Sequence, residues 1–106
     1  MKQTHVKELP LMIEHINDSI VHRSIMRSKY GSITLFAIDD DESITEHKSS
    51  SDEFVYVVDG EVELILNGKT IHLKKGKSQH INPNTLHTVN GVDSGKIMLV
   101  IIRNIN

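Results

Sequence analysis

A histidine and a glutamate lie six positions apart in the segment EHKSSSDE, just before the apolar run FVYVV. Because the side chains of a β-strand alternate between its two faces, Glu53 is expected to share a face with Val55 and Val57. A carboxylate on an apolar face is costly to bury unless a cation or a hydrogen-bond donor meets it. A divalent metal is one such partner, and two imidazoles with one carboxylate form a recurrent ligand set. His47 and His87 are candidates to complete that set, although spacing alone does not select them.

The candidate ligands belong to two longer motifs. Residues 47–60 read HKSSSDEFVYVVDG, and residues 76–87 read GKSQHINPNTLH. These stretches resemble the paired motifs of the cupins, small β-barrels whose first motif is G-x5-H-x-H-x3-4-E-x6-G and whose second is G-x5-P-x-G-x2-H-x3-N. In that family the histidines and the glutamate of the motifs bind one divalent metal inside the barrel. The resemblance implies that His47, Glu53 and His87 are metal ligands, with iron, zinc, manganese or nickel as the metal.

The sequence departs from the family pattern at several positions. Ser49 stands where the second histidine of the first motif is expected, and Asp41 stands where that motif begins with glycine. Asn82 and Asn84 replace the proline and the glycine of the second motif. Asparagine accepts left-handed backbone angles better than most residues, so we expect the turn at Asn84 to survive. Ser49 leaves two outcomes open, because a serine hydroxyl is a poor ligand beside an imidazole.

In the first outcome, the three remaining groups hold a metal that has an additional open position, which suits Lewis-acid chemistry or dioxygen binding. In the second, the metal affinity falls and His47, Glu53 and His87 form a hydrogen-bonded polar cluster in a metal-free pocket. His80 is a further candidate, because Ser78, His80 and Asn82 share one strand face. If that face points inward, His80 can replace the missing ligand. Otherwise it lines the pocket or lies on the surface.

A β-hairpin must follow the first motif. Asn67 and Gly68 form the dipeptide that most readily adopts the positive φ angles of a type I′ turn, and alternating segments flank them. A two-residue loop fixes the register, so that apolar residues face one another and opposite charges face one another. The expected pairs are Leu66 with Lys69, Leu64 with Ile71, Val62 with Leu73, Glu63 with His72 and Glu61 with Lys74.

Other short apolar runs, separated by turns, predict further strands. These runs are residues 20–28, 33–38, 87–89 and 96–103, with NGVDSG as a turn between the last two. The last run has no alternation, so we expect it to be covered on both faces by a second sheet, a dimer mate or both. A helical turn is expected near residues 11–17.

The pattern as a whole predicts an all-β fold, an antiparallel cupin-type β-barrel of the jelly-roll class. We expect one domain over residues 1–106, with an N-terminal arm at 1–19 and the barrel at 20–106. A chain of 106 residues has a modest core, and its long apolar runs favour a homodimer.

Charge and composition exclude several classes of protein. The net charge is −2, without a basic stripe, so nucleic acid is not an expected partner. The chain has no cysteine, which excludes disulfides and thiolate ligands, and no long apolar segment that indicates a membrane partner. We expect a cytoplasmic protein. The small-molecule pocket is expected between the His47 loop and the His87 turn. The two functional hypotheses are a metal-dependent oxygenase or isomerase acting on a small polar metabolite, and a metal-free barrel that binds a metabolite without turnover.

Overall fold

The computed structural model describes residues 6–46 and 49–104, and within these ranges the chain forms one short 3-10 helix and seven antiparallel β-strands. No helix in the described ranges has the length and apolar composition needed to cross a lipid bilayer. The helix is Leu9–Met12, and the strands are β1 (Ile20–Ser28), β2 (Gly31–Ile38), β3 (Ser43–Glu46), β4 (Asp52–Leu66), β5 (Lys69–Lys74), β6 (Ser78–Ile81) and β7 (His87–Ile102). The all-β antiparallel prediction is confirmed.

The two longest strands, β4 and β7, pair with each other along their whole length, from Asp52 opposite Ile102 to Leu66 opposite His87. The other edge of β4 pairs with β6 near the start of β4 and with β5 near the end of β4. The free edge of β7 pairs with β3 near its start and with β2 near its end, and β1 extends the sheet beyond β2. When a strand pair of this length bends in the middle, its two halves become the facing walls of a barrel.

The bend lies where both long strands lose their regular register. The pairing of β4 with β7 shifts at several points within residues 57–62. At this corner Gly60 has a φ of +66°, and a Cβ added to it would lie 2.3 Å from the carbonyl oxygen of Asp93. A Cβ added to Gly91 would lie 2.2 Å from the carbonyl oxygen of Asp39. Only glycine permits this close approach of backbones, so these two positions determine where the strands can bend.

The same corner corrects one prediction from the sequence. NGVDSG, at residues 90–95, does not reverse the chain between two strands, because β7 runs through it without interruption. The turn-forming residues instead produce a local distortion, in which Ser94 has a φ of 46°. Turn-forming residues within a strand can be accommodated as a bulge where the paired strand also bends, as β4 does beside residues 90–95.

The hairpin was predicted correctly. Asn67 and Gly68 have φ angles of 50° and 80°, and the observed register is the one expected from the sequence. The helical turn expected near residues 11–17 lies earlier, at Leu9–Met12, with Pro10 in its first turn, where a proline is tolerated.

Two apolar clusters lie on opposite faces of the sheet. The larger fills the barrel interior and consists of Ile38, Val55, Val57, Val62, Leu64, Leu73, Ile81, Val89 and Ile97. The smaller lies outside, where Ile13 covers Leu35 and Ala37 of β2. The side chains of Arg23 and Lys96 fasten the N-terminal segment over this outer cluster by donating hydrogen bonds to the carbonyl oxygens of Met12 (2.9 Å) and Pro10 (2.8 Å). The first half of the β7 run 96–103 is thus covered on its outer face by the chain's own N-terminal segment.

Candidate metal site

Glu53 and His87 lie at opposite ends of the β4–β7 ladder, yet their side chains meet. Along a straight β4, the distance from residue 53 to residue 66, which pairs with His87, would be about 40 Å. The bend of the barrel brings Oε1 of Glu53 to 3.6 Å from Nε2 of His87. Both residues are buried, with exposed fractions of 2% and 5%. The contact therefore depends on closure of the barrel.

Glu46 is the third member of the site. It is the last residue of β3 and lies directly opposite His87 in the register of β3 with β7. Its Oε2 lies 3.2 Å from Nε2 of His87. Its side chain keeps 39% of its surface exposed, so it lies on the solvent side of the site. Glu46, Glu53 and His87 each offer one ligand atom, and these atoms all lie within 4.8 Å of one another.

Glu46 was not predicted from the sequence, because in the family pattern the ligand is the next residue, His47. A signal was present in the segment SITE, where alternation places Ile44 and Glu46 on one strand face. Ile44 packs against the interior cluster, so its face is the inner one. A strand assignment for residues 43–46 would have placed Glu46 inside.

The orientation of His87 is determined by its other ring nitrogen. Nδ1 lies 2.9 Å from the carbonyl oxygen of Thr85, an atom that can only accept. Nδ1 therefore carries the proton, and the neutral ring presents an unprotonated Nε2 to Glu46 and Glu53. A lone pair facing two carboxylates is repulsive unless a proton or a metal ion lies between them. The site therefore needs a cation at Nε2.

The pKa values of Glu46, Glu53 and His87 are shifted by their mutual contacts and by burial. The contact with Glu53, together with burial, raises the pKa of Glu46 to about 7. Burial acts to raise the pKa of Glu53, but the contacts with His87 and Glu46 outweigh it and lower that pKa below its ordinary value. The Glu53 carboxylate raises the pKa of His87 against the opposing effect of burial, and the Thr85 carbonyl adds to the rise. Glu53 is thus the fixed negative charge of the site, whereas the carboxyl of Glu46 titrates near neutral pH.

Two carboxylate oxygens at the site lack partners. Oε2 of Glu46 and Oε1 of Glu53 are buried and make no hydrogen bond to any described residue. Buried carboxylate oxygens are seldom left unsatisfied, because desolvation without compensation is costly. Both oxygens adjoin Nε2 of His87, and the three atoms together suit a divalent cation. The residues present therefore fit a bound metal.

The remaining residues predicted from the sequence have different environments. His47 lies outside the described residues, so its role as a ligand stays a prediction. Ser49 is half-buried and links the two motifs, because its carbonyl oxygen accepts a hydrogen bond of 2.6 Å from the backbone of Asn84. Its hydroxyl oxygen accepts one of 3.1 Å from the backbone of Ser51. These contacts connect the loop that contains Ser49, in the first motif, to the turn that contains Asn84, in the second.

His80 faces away from the site. It pairs in register with Phe54, which lies on the outer face of β4, and its Nε2 lies 2.8 Å from Oδ1 of Asp52. Its side chain is 53% exposed. The face that carries Ser78 and His80 therefore points outward, and in this structure His80 does not supply the missing ligand.

The motif positions that require glycine in the family share one backbone property. Asp41, Gly60, Gly76 and Asn84 have φ angles of 69°, 66°, 86° and 61°, all in the left-handed region. Asp41 and Asn84 replace glycines of the pattern, and aspartate and asparagine tolerate this region better than most residues. The substitutions at 41 and 84 therefore preserve the turns that carry β3 and His87.

Three depressions on the described surface lie elsewhere. They have volumes of ≈ 320, ≈ 400 and ≈ 400 Å³; Glu53 is among the residues that line the third, but neither Glu46 nor His87 lines any of them. The small-molecule pocket beside the His47 loop stays a prediction.

Comparison with known proteins supports the architecture. Solved structures with this fold include a conserved protein of unknown function from Streptococcus pyogenes, with 20% sequence identity, a TM-score of 0.91, and coverage of 100% of this chain and 93% of that one. A cupin superfamily protein from Desulfitobacterium hafniense has 19% identity and a TM-score of 0.90, covering 98% of this chain and 95% of that one. A cupin 2 conserved barrel domain protein from Leptotrichia buccalis has 28% identity and a TM-score of 0.82, covering 91% of this chain and 46% of that one.

No curated protein sequence matches the chain. The model of the cupin domain family matches residues 34–102, which include the described candidate ligands and all strands from β3 to β7. The match covers well over half of the chain, and the fold is the antiparallel barrel of that family. The chain therefore belongs to the cupin family.

Proposed function

We propose that this barrel binds one divalent metal ion through Glu53, His87 and Glu46 and uses it to act on a small polar metabolite. The observation that carries the proposal is the Oε1 atom of Glu53. It belongs to a carboxylate that is 2% exposed, it has no hydrogen-bond partner among the described residues, and it lies beside a ring nitrogen that carries no proton in the neutral tautomer. His47, implied by the family resemblance, is the expected fourth ligand.

Each residue has a distinct part in this proposal. Glu53 supplies the permanent negative charge, because its pKa lies below the ordinary value. The Thr85 carbonyl holds His87 in the tautomer whose Nε2 can ligate. A divalent metal, when bound, polarises a substrate oxygen or lowers the pKa of a bound water. Glu46 is the most exposed of the three, and because the pKa of its carboxyl is about 7 in the metal-free site, it must lose its proton in order to ligate.

The ligand set also favours some metals over others. Of iron, zinc, manganese and nickel, the metals implied by the family resemblance, manganese and iron(II) accept carboxylate oxygen most readily. Two carboxylates with one described imidazole therefore support manganese or iron over nickel.

Metal analysis of untagged protein tests the proposal. We expect about one equivalent of metal per chain by inductively coupled plasma mass spectrometry, and its loss in His87→Ala. His72→Ala is the matched control, because His72 is 59% exposed on the hairpin near Glu61 and Glu63 and does not contact the site. The control should keep its metal. Protein that contains no metal, and whose melting temperature does not rise with added manganese, iron(II), zinc or nickel, would contradict the proposal.

A second candidate function rests on the protonation of the cluster. Because Glu46 has a pKa of about 7 and the pKa of His87 is raised, protons alone can neutralise the site below neutral pH. This favours a metal-free barrel that binds a metabolite without turnover. Metal-free protein that retains its fold at pH 6 and binds a metabolite unaffected by chelator supports this second function over the first.

A further inference from the structure

Arg27 lies on the inner face of the sheet because β1 contains a bulge. Strand alternation alone would place it on the same face as Arg23, four residues earlier. Arg23 is on the outer face, where it fastens the N-terminal segment. The register of β1 with β2 shifts between Ser24 and Met26, and beyond the shift Arg27 lies opposite Ser32. A bulge of this kind changes the face on which the following side chains lie, and here it moves an arginine to the interior side.

A row of directly opposite residues joins Arg27 to the metal site. Arg27 lies opposite Ser32, Ser32 opposite Ile101, and Ile101 opposite Glu53. Directly opposite residues on adjacent strands share a face, so Arg27 is on the face that Glu53 presents to the interior. Three strand spacings separate the two residues, about 14 Å between Cα atoms along the curved wall. Glu53 is buried and Arg27 is exposed, so the row leads from the metal site to solvent.

Lys69 has the corresponding position on the opposite wall. It is the first residue of β5 and lies opposite Leu66, which in turn lies opposite His87. Leu66 packs against the interior cluster, so Lys69 is also on the inner face. Two strand spacings separate it from His87, about 10 Å between Cα atoms. The metal site therefore has a cationic side chain at its end of each wall.

Neither cation has an acidic partner within residues 6–46 and 49–104, where the ion pairs all involve histidine. The wall around Arg27 is polar as well, because Ser24 and Thr34 form the next inner pair beside Ser32. Their hydroxyl groups can donate hydrogen bonds to an anion. Arg27, Ser32 and Ile101 also line the ≈ 320 Å³ depression, together with outer residues at the same strand ends. This end of the row therefore borders open space.

The formal charges at this end of the barrel indicate the charge of a ligand. A divalent metal and the carboxylates of Glu46 and Glu53 sum to zero, and Arg27 and Lys69 add two positive charges. A ligand with two negative charges makes the whole site neutral. Arginine is the side chain that binds a carboxylate through two parallel hydrogen bonds, whereas lysine acts as a point charge. The two cations therefore favour an acidic metabolite over a neutral one.

We propose that the metabolite is a small organic acid with two carboxylates, one bound by Arg27 and the other at the metal on the side of Lys69. The inference rests on the proposed function, because it names the class of metabolite that enters the same site. Arg27 is then a specificity-determining residue, and the bulge in β1 is the feature that brings it to the inner face.

Isothermal titration calorimetry of manganese-loaded protein tests the inference, with succinate and glutarate as probes. Butyrate, which is glutarate without one carboxylate, and uncharged glutaramide are the matched ligands. At least one dicarboxylate should bind about tenfold or more tightly than butyrate, and glutaramide should bind more weakly than butyrate.

Substitutions on the two faces separate the inner cations from general surface charge. Arg27→Gln should weaken dicarboxylate binding about tenfold or more, and Arg27→Lys should restore part of the loss. Lys69→Gln should weaken it about threefold. Lys74→Gln is the control, because Lys74 is exposed on the same strand but lies opposite Glu61 on the other face, and it should leave binding unchanged. All four variants should keep the metal and the circular dichroism spectrum of the unmodified protein.

Metal content distinguishes failure of this inference from failure of the proposed function. Metal-loaded protein that binds neither dicarboxylate more tightly than butyrate, or an Arg27→Gln variant that binds them unchanged, overturns the inference and leaves the proposed function in place. If the unmodified chain holds no metal, the proposed function fails, and the same titration is made on the metal-free protein. Dicarboxylate binding that is lost in Arg27→Gln then supports the inference by itself, and absence of binding overturns it as well.

Discussion

Glu53 and Phe54 are neighbours in the sequence, and their environments are the reverse of what their polarity suggests. The carboxylate is 2% exposed inside the barrel, whereas the aromatic ring is 39% exposed on the outside. The cause is strand alternation, which assigns adjacent residues to opposite faces whatever their chemistry. A buried charge and an exposed ring each carry a free-energy cost when left without a partner.

The two walls of β4 differ in how their side chains are arranged. The inner wall converges on one point, where Glu46, Glu53 and His87 meet and could together hold a metal ion. The outer wall carries a row of apolar side chains that extends over four strands. The inner wall therefore forms a compact polar site, whereas the outer wall forms a flat apolar surface.

Truncation of an interior residue should have the largest effect on stability. Leu64→Ala removes a fully buried side chain from the interior cluster and should lower the free energy of unfolding by about 3 kcal/mol. Thr70→Ala, at an exposed position of β5, is the control and should change the free energy of unfolding by less than about 0.5 kcal/mol. Urea unfolding followed by circular dichroism measures both. Equal costs at the two positions would show that the interior is not packed as described.

Neutralising the buried carboxylate should act on metal binding. Glu53→Gln keeps the shape of the side chain but removes the charge that attracts a cation, so manganese affinity should fall at least a hundredfold. Glu61→Gln is the matched control on the same strand and should leave the affinity unchanged. Isothermal titration calorimetry gives both values. Unchanged affinity in Glu53→Gln would place the metal elsewhere.

Metal affinity should depend on pH in a known direction. Metal and protons compete for the same atoms, so Glu46 and His87 must lose their protons before they ligate. A carboxyl with a pKa of about 7 is roughly 10% ionised at pH 6 and 90% at pH 8, so affinity should rise about tenfold or more over this interval. Glu46→Gln should flatten the profile. An affinity that is constant between pH 6 and 8 would contradict the assignment of Glu46.

The stability of the metal-free protein should decrease as pH rises, whereas metal affinity increases. The pKa of Glu46 is raised from 4.5, and that of His87 from 6.5, so their stabilising contributions are complete below those values and are lost as pH rises through the folded-state pKa values. Glu53, with a lowered pKa, acts oppositely and loses its contribution only in acid. The melting temperature of chelator-treated protein should therefore fall by about a few degrees from pH 6 to pH 8. His87→Gln should reduce that fall. A melting temperature of the unmodified, chelator-treated protein that rises from pH 6 to pH 8 would contradict the expected direction.

The outward-facing histidine should have the smallest effect. His80→Ala removes an exposed pair with Asp52 and should cost less than about 0.5 kcal/mol. Metal content should not change, because His80 lies on the outer face. Loss of metal in His80→Ala would revive the hypothesis that it replaces the ligand missing at Ser49.

Much of the fold was predictable because it depends on local chemistry. Asn67-Gly68 specifies a turn, and the turn specifies the register of every pair in the hairpin. Asn84 accepts the left-handed backbone that the second motif needs. Local rules failed at residues 90–95, where turn-forming residues became a bend because β4 bends beside them. Whether such residues reverse a chain or bend it depends on the neighbouring strand.

The site was predictable only in part, for the same reason. Glu53 was predicted from the sequence because its strand face continues into two valines, and His87 because the motif spacing resembles that of the cupins. The structure brings the two side chains together. Glu46 was missed because its importance comes from pairing with His87, a residue 41 positions later in the sequence. His80 was undecided because alternation places Ser78 and His80 on one face without saying which face is inside.

The sequence by itself determined the alternation of the strands and the hairpin register, because these follow from the chemistry of near neighbours. It also indicated Glu53 and His87, but not Glu46, as residues that could bind a cation. Only the tertiary structure decided which face of each strand became the interior and which acid met His87. Those outcomes depend on the bend of β4 and β7, which turns two ends of a long ladder into one site. Contacts between residues so far apart in the chain are determined by closure of the barrel, and no local pattern encodes that closure.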